Sequence, residues 1–348
     1  MKRIFTSFLI LVFVSRIAFP GIVRAQTQDP LRATVTGLSS GNIVVEIHEG
    51  DHAGQQMKVL QFDEKQIENQ GLHNGDQVLV TFIQGPDGQE QVIIVDQYRL
   101  WPLAGLFILF LAVVVVIGKR KGFFAFLGMA FSFLIIAQMV VPQILLGNNP
   151  ILISLFASLF IIPITFYVSH GFKWKTTVAT VSTFLALIFT AVLAVIFVNL
   201  TKLTGYAAEE ANFIAAQQGD HINIQALLLA GIIIGAMGVL DDITISQTSI
   251  VSKLKQANTK FSKWDLFRES MDVGHDHIAS LVNTLVLVYA GAALPLFVLF
   301  SSSQFGTLSD VLNMEIVATE IVRTLVSSIG IVSAVPLTTL LAVWYIKD

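Results

Sequence analysis

Two kinds of hydrophobic pattern follow one another along the chain. From Gln26 to about Tyr98 apolar residues alternate with polar ones over short runs, near 33–35, 43–47, 57–62, 78–82 and 92–95. A period of two sends alternate side chains to one buried face, so these runs predict about five short strands. Ser39-Ser40-Gly41-Asn42, Glu49-Gly50-Asp51, Asn74-Gly75-Asp76 and Gly85-Pro86-Asp87-Gly88 separate them with residues that tolerate positive φ or pre-set a turn. A small β-barrel or β-sandwich domain is therefore expected over residues 26–98. Past Tyr98 the apolar runs lengthen to the ~20 residues that a ~30 Å hydrocarbon core demands of a helix. Seven spans are expected, near 100–118, 122–146, 149–169, 176–200, 225–250, 278–300 and 324–346, which makes residues 99–348 an α-helical polytopic membrane domain.

The N-terminus reads as an address. Lys2 and Arg3 precede an apolar run over 4–14, and Arg16, Pro20 and Gly21 lead to Val23-Arg24-Ala25, a small-residue pattern like a secretory cleavage site. Residues 1–25 are either a cleaved signal peptide or an uncleaved signal anchor, in which Arg16 would cost a few kcal/mol at mid-bilayer. Both put the β domain outside the cytoplasm. The cytoplasmic side then collects Lys119, Arg120, Lys121, Lys173, Lys175, Lys253, Lys255, Lys260, Lys263, Arg268 and Lys347, against Lys202 and Arg323 in the outer loops. This bias is the positive-inside pattern and places the C-terminus in the cytoplasm.

Composition removes several function classes. With 54% apolar and 13% charged residues the chain expects the lipid bilayer as its first partner, and a net charge of −3 gives no basic surface for nucleic acid. With no cysteine it has no disulfide framework, thiolate metal site or thiol nucleophile. No catalytic triad, phosphate-cradling loop or metalloprotease pattern is visible, so neither enzyme activity nor a cofactor is expected.

Against that apolar background a few polar residues stand out. Asp241 and Asp242 interrupt the fifth span. On a helix that runs to Lys253, Asp242 lies about 16 Å from the end; on one that ends near Ser246 it lies only ~6 Å deep. Adjacent residues point ~100° apart, so the two carboxylates have separate surroundings. A proton or cation relay, a structural cap, and a metal site with imidazole help are the three readings. His275, Asp276 and His277 cluster at the cytoplasmic end of the sixth span, as a proton entry point or a solvated helix start, and Asn283 is expected to hydrogen-bond one of the aspartates. Gly231, Gly235 and Gly238 form a small-residue face, expected to let helices approach closely. Residues 261–271 read as an amphipathic helix at the cytoplasmic face. His48, Asp51 and His52, and outside Glu209, Glu210, Asp220 and His221, are expected to be solvated rather than ligating.

The run Gly235-Ala236-Met237-Gly238-Val239-Leu240-Asp241-Asp242 through Thr248, and the run from Gly274 to Ala290, resemble the YibE/F-like family of bacterial membrane proteins. The resemblance covers most of the chain and implies a multi-pass protein of the bacterial plasma membrane. A weaker likeness is to the proton-coupled half of the RND and SecF-type transporters, in which an intramembrane aspartate preceded by an asparagine or second aspartate takes part in proton coupling. It implies that role for Asp241 and Asp242, although four spans rather than two precede the motif here. The expectation is a membrane transporter or export component coupled to proton or cation movement. The alternative is a non-transporting scaffold or receptor that binds a partner through its external domain. A wide pore would need several copies, so a homo-oligomer is among the expected assemblies.

Overall fold

The computed structural model describes residues 30–39, 42–59, 71–84, 90–301 and 306–346. The expected signal segment and parts of the turns near 40 and 86 lie outside them. The chain divides into two compact units. One carries the strands and the start of the first helix, up to Val116, and the other holds the helices from Ile117 onward.

The strands are β1 (Leu31–Ser39), β2 (Asn42–Ile47), β3 (Gln56–Lys58), β4 (Gln77–Gln84) and β5 (Glu90–Gln97), in the sheet order β3-β2-β1-β4-β5. Every neighbouring pair is antiparallel, and the register sets Val35 opposite Val45 and Val80 opposite Ile94. That register brings the alternating residues Ala33, Val35, Ile43, Val45, Ile47, Val78, Val80, Val92 and Ile94 into one buried cluster. A parallel bridge from Val59 to Val92 links the chain just after β3 to β5. Arg32 pairs with Glu49 and also lies 5.6 Å above the Tyr98 ring. The histidines of this unit have ordinary partners: His48 Nε2 lies 2.7 Å from Thr34 Oγ1, and His52 packs on Phe82 at 4.6 Å.

The helical part comprises α1 (Leu100–Ile135), a π turn at Ile136–Val140, α2 (Val141–Leu145), α3 (Pro150–His170), α4 (Trp174–Leu200), α5 (Glu209–Gln218), α6 (Ile224–Ala257), α7 (Lys263–Ala292), α8 (Leu294–Ser301), α9 (Leu308–Asn313) and α10 (Glu315–Tyr345). Pro142 has no N–H to offer the carbonyl four residues back, and the helix widens into the π turn just before it. α6 packs against α3, α4, α7 and α10 and is the centre of the bundle.

Among the described residues, five helical stretches are long and apolar enough to cross a membrane, or six if the bent pair α7–α8 is one span. The sequence predicts seven, and two differences account for this. The first two expected spans fall in one continuous apolar stretch of 46 residues that counts once, although non-helical backbone at Lys119 (φ 50°, ψ −136°) divides it into two helices at the expected boundary. The expected sixth span bends by 63° between Ala292 and Leu294, where Pro295 interrupts helical bonding. The expected amphipathic helix is not separate either. A capping box of Ser262 and Asp265 starts a single helix that carries on for 30 residues.

Candidate functional site

The sequence marks Asp241, and the fold supplies its surroundings. α6 is amphipathic in an unusual sense, since it buries Ala236, Met237, Leu240, Ile243 and Thr244 while Gly238 and Asp242 stay on the outer side. Asp241 lies between these faces. Its Oδ2 accepts a hydrogen bond of 3.4 Å from Thr165 Oγ1 on α3, and its Oδ1 is occluded with no partner. Thr165 Oγ1 also stands 2.9 Å from the Ile161 carbonyl, and one hydroxyl proton serves only one of the two at a time.

A cavity of about 570 Å³ opens beside this pair, between α3, α6 and the second half of α1 with its π turn. Apolar side chains line most of it, including Met129, Phe133 and Ile161. The polar exceptions are Asp241, Asp242, Thr165, Ser132, Ser169, Lys121 and His170, so carboxylates and basic groups line the same cavity from different helices. Thr165 stands five residues before the end of α3, about 7.5 Å along that helix. α6 itself continues sixteen residues beyond Asp241. The helix thus runs well past Ser246, and the carboxylate is far from the end of its own helix and close to the end of its neighbour.

A polar track continues from the site into the bundle. Thr183 Oγ1 and Thr244 Oγ1 are 2.7 Å apart, and the Thr244 hydroxyl reaches the Asp241 carbonyl at 3.3 Å. One turn further on, the fully buried Gln247 donates through Nε2 to the Ser270 carbonyl (2.9 Å) and to Thr339 Oγ1 (2.7 Å), tying α6 to α7 and α10. Gln247 and the threonines Thr176, Thr180, Thr183 and Thr190 were not singled out from sequence. The signal was the spacing of those four threonines, which places them along one stripe of α4 that the structure buries.

Other expected site residues lie elsewhere. His275 and Asp276 are exposed on α7, His277 is half-buried, and none of them lines the cavity. Asn283 is exposed too, and no hydrogen bond joins it to either aspartate. The reason is helical phase. α7 buries Leu266, Ser270 and Gly274. His275, Asp276 and Asn283 follow Gly274 by one, two and nine residues, which turns them about 100°, 200° and 180° away. The glycine expectation is also corrected, because a Cβ on Gly231, Gly235 or Gly238 would meet nothing within 4 Å. Close helix contact falls instead at Gly274, where a Cβ would sit 2.8 Å from Val335, and at Gly330, where it would collide with Thr190 Oγ1. Among the described residues no group of three or more His, Asp or Glu side chains is placed to hold a metal ion.

Long apolar helices around a nearly charge-free core, with the few polar groups turned inward, define a multi-pass membrane protein. Residues 106–348 match the model of the YibE/F-like proteins, and the chain belongs to that family. Both motif runs that carry the resemblance lie within the match, and the strands lie before it. Neither the curated proteins nor the solved structures contain a match to the chain.

Proposed function

We propose that the protein is a transporter or export component in which Asp241 takes up and releases a proton or small cation while the helices around its cavity repack. The observation that carries this is the occluded, unpartnered Oδ1 of Asp241, a residue that lines a cavity with both carboxylates and basic groups. A buried, ionised carboxylate with a bare oxygen costs several kcal/mol, and a proton or cation on it removes that cost. Thr165 supplies the second half of the device. When Asp241 is ionised, the Thr165 hydroxyl donates to it. When Asp241 is protonated, Asp241 donates, and the Thr165 hydroxyl turns to the Ile161 carbonyl. Asp242, exposed and lining the same cavity, draws cations toward its neighbour. The weaker likeness to RND and SecF-type transporters supports the same role for the pair, and the lysine and arginine bias supports a cytoplasmic C-terminus and an extracytoplasmic β domain. In this reading the protein is not an enzyme and uses no cofactor.

The test is proton flux into liposomes that hold a pH dye and the purified protein, under an imposed gradient. Wild type should pass protons, Asp241→Asn should abolish the flux, and Asp242→Asn should slow it. Undiminished flux in folded Asp241→Asn protein would sink the proposal.

A second reading rests on the strands, which form a compact unit with a core of their own. In it the β unit, with the bridge from Val59 to β5 closing it toward a barrel, binds an extracytoplasmic partner and the helices anchor it. Loss of partner capture on deleting residues 26–98, in a protein that passes no ions, would favour this account.

A further inference from the structure

A second set of charged side chains gathers at the other end of α6, some 20 Å along the helix from Asp241 at ~1.5 Å per residue. Here a cavity of about 350 Å³ is lined by Glu209 and Glu210 at the start of α5, by Leu228 of α6, and by Thr319, Glu320 and Arg323 of α10. Three carboxylates face one guanidinium, and that guanidinium is already committed, since Arg323 Nη1 donates to Glu320 Oε1 at 2.9 Å. Two polar atoms remain unused. Thr319 is only 7% exposed and its hydroxyl has no partner, and Arg323 Nε is occluded and equally unpaired. Both would hydrogen-bond an acceptor oxygen entering the cavity, whereas Glu209 and Glu210 would take a cation.

An apolar cavity of about 230 Å³ adjoins this one and shares Glu320 and Leu296 with it. It lies between α7, the α7–α8 bend and α10, against Tyr289, Phe297 and Leu325. Together the two volumes fall within the ~300–1,000 Å³ of ordinary small-molecule sites. They also order the ligand from end to end: a cationic head on the carboxylates, an oxygen beside it for Thr319 and Arg323, and a hydrocarbon tail in the apolar lobe.

We propose that this paired cavity binds an amphiphile with a primary ammonium head. The ligand is either a free alkylamine-like solute or an aminophospholipid, which share the head-group chemistry, and the site is independent of the Asp241 cavity. The orientation of the site explains why Glu320 and Arg323 stand about one and two turns inside an apolar helix. They form its polar floor.

The experiment is equilibrium binding of octylammonium to the full-length protein in nanodiscs of phosphatidylcholine. Saturable binding is expected, with methylammonium and octanol, which carry the head or the tail alone, each at least about tenfold weaker. Glu209→Gln combined with Glu210→Gln, both exposed and tolerant of change, should weaken octylammonium about tenfold or more without moving the melting midpoint of the empty protein. Thr319→Val, which removes a donor for an oxygen that octylammonium lacks, and Asp241→Asn with Asp242→Asn should each leave it unchanged. Repeating the titration in phosphatidylethanolamine nanodiscs separates the sources: weaker apparent binding identifies the lipid as the occupant, and unchanged binding identifies the free amine. Octanol binding as tightly as octylammonium, or full affinity in the Glu209→Gln, Glu210→Gln protein, would overturn the proposal.

Discussion

Gln247 shows how much one buried amide can hold. Its two N–H groups reach α7 and α10, and its neighbour Gly274 leaves room for it, because a Cβ there would lie 3.2 Å from Nε2. Truncation to alanine removes both bonds and opens a void in a close-packed junction. Gln247→Ala should therefore destabilise the helical unit by about 2 kcal/mol or more, measured as a lower melting midpoint in detergent. At the surface of the β unit, Glu49 gives a pH prediction. Its bond to Arg32 holds its carboxyl below the usual value of 4.5. The unfolded chain thus binds the proton more readily, and the stabilisation is complete above pH 4.5 and fades as pH falls through the lower, folded value. Glu49→Gln should lower the neutral melting midpoint slightly and leave the acid midpoint in place, so that the acid limb flattens.

At the scale of the helix, two glycine patterns have exchanged their expected meanings. Gly231, Gly235 and Gly238 repeat at the spacing of a packing face, yet their face of α6 is open, and Gly238 borders the Asp241 cavity. Gly330 shows no such repeat, yet α4 crosses there against Thr190. Gly330→Ala should cost about 1–3 kcal/mol through overpacking, whereas Gly235→Ala should be neutral or slightly stabilising, and a pair of thermal melts would compare them. Period alone cannot separate these cases, because it tells which residues share a stripe but not what lies opposite. The same limit explains the misplaced cluster on α7. His275, Asp276 and His277 were visible as polar residues, but the turn of α7 that faces α6 is chosen by Ser270 and Gly274. The strands were more legible, since alternation fixes the buried face directly and the core of Val35, Val45, Val80 and Ile94 follows from it. Asp241 was legible because a carboxylate in an apolar run is rare. Its partner Thr165 was not, because the two are 76 positions apart in sequence.

For the whole molecule, α6 is longer than the four helices packed on it, of which α4 and α7 run antiparallel to it and α3 and α10 run parallel. α6 has 34 residues, about 50 Å at ~1.5 Å per residue, against a hydrocarbon core of ~30 Å. α7 starts beside its far end, so the pair makes a stiff hairpin that continues past the end of α3. Asp241 lies close to the place where α3 stops supporting α6, with about 24 Å of helix still to run. That placement makes the carboxylate a fulcrum. In the proposed transport cycle, a small tilt of α6 as the cavity fills or empties would become a larger excursion at residues 258–262. A partner gripping the hairpin tip would therefore sense the charge state of a side chain it never touches.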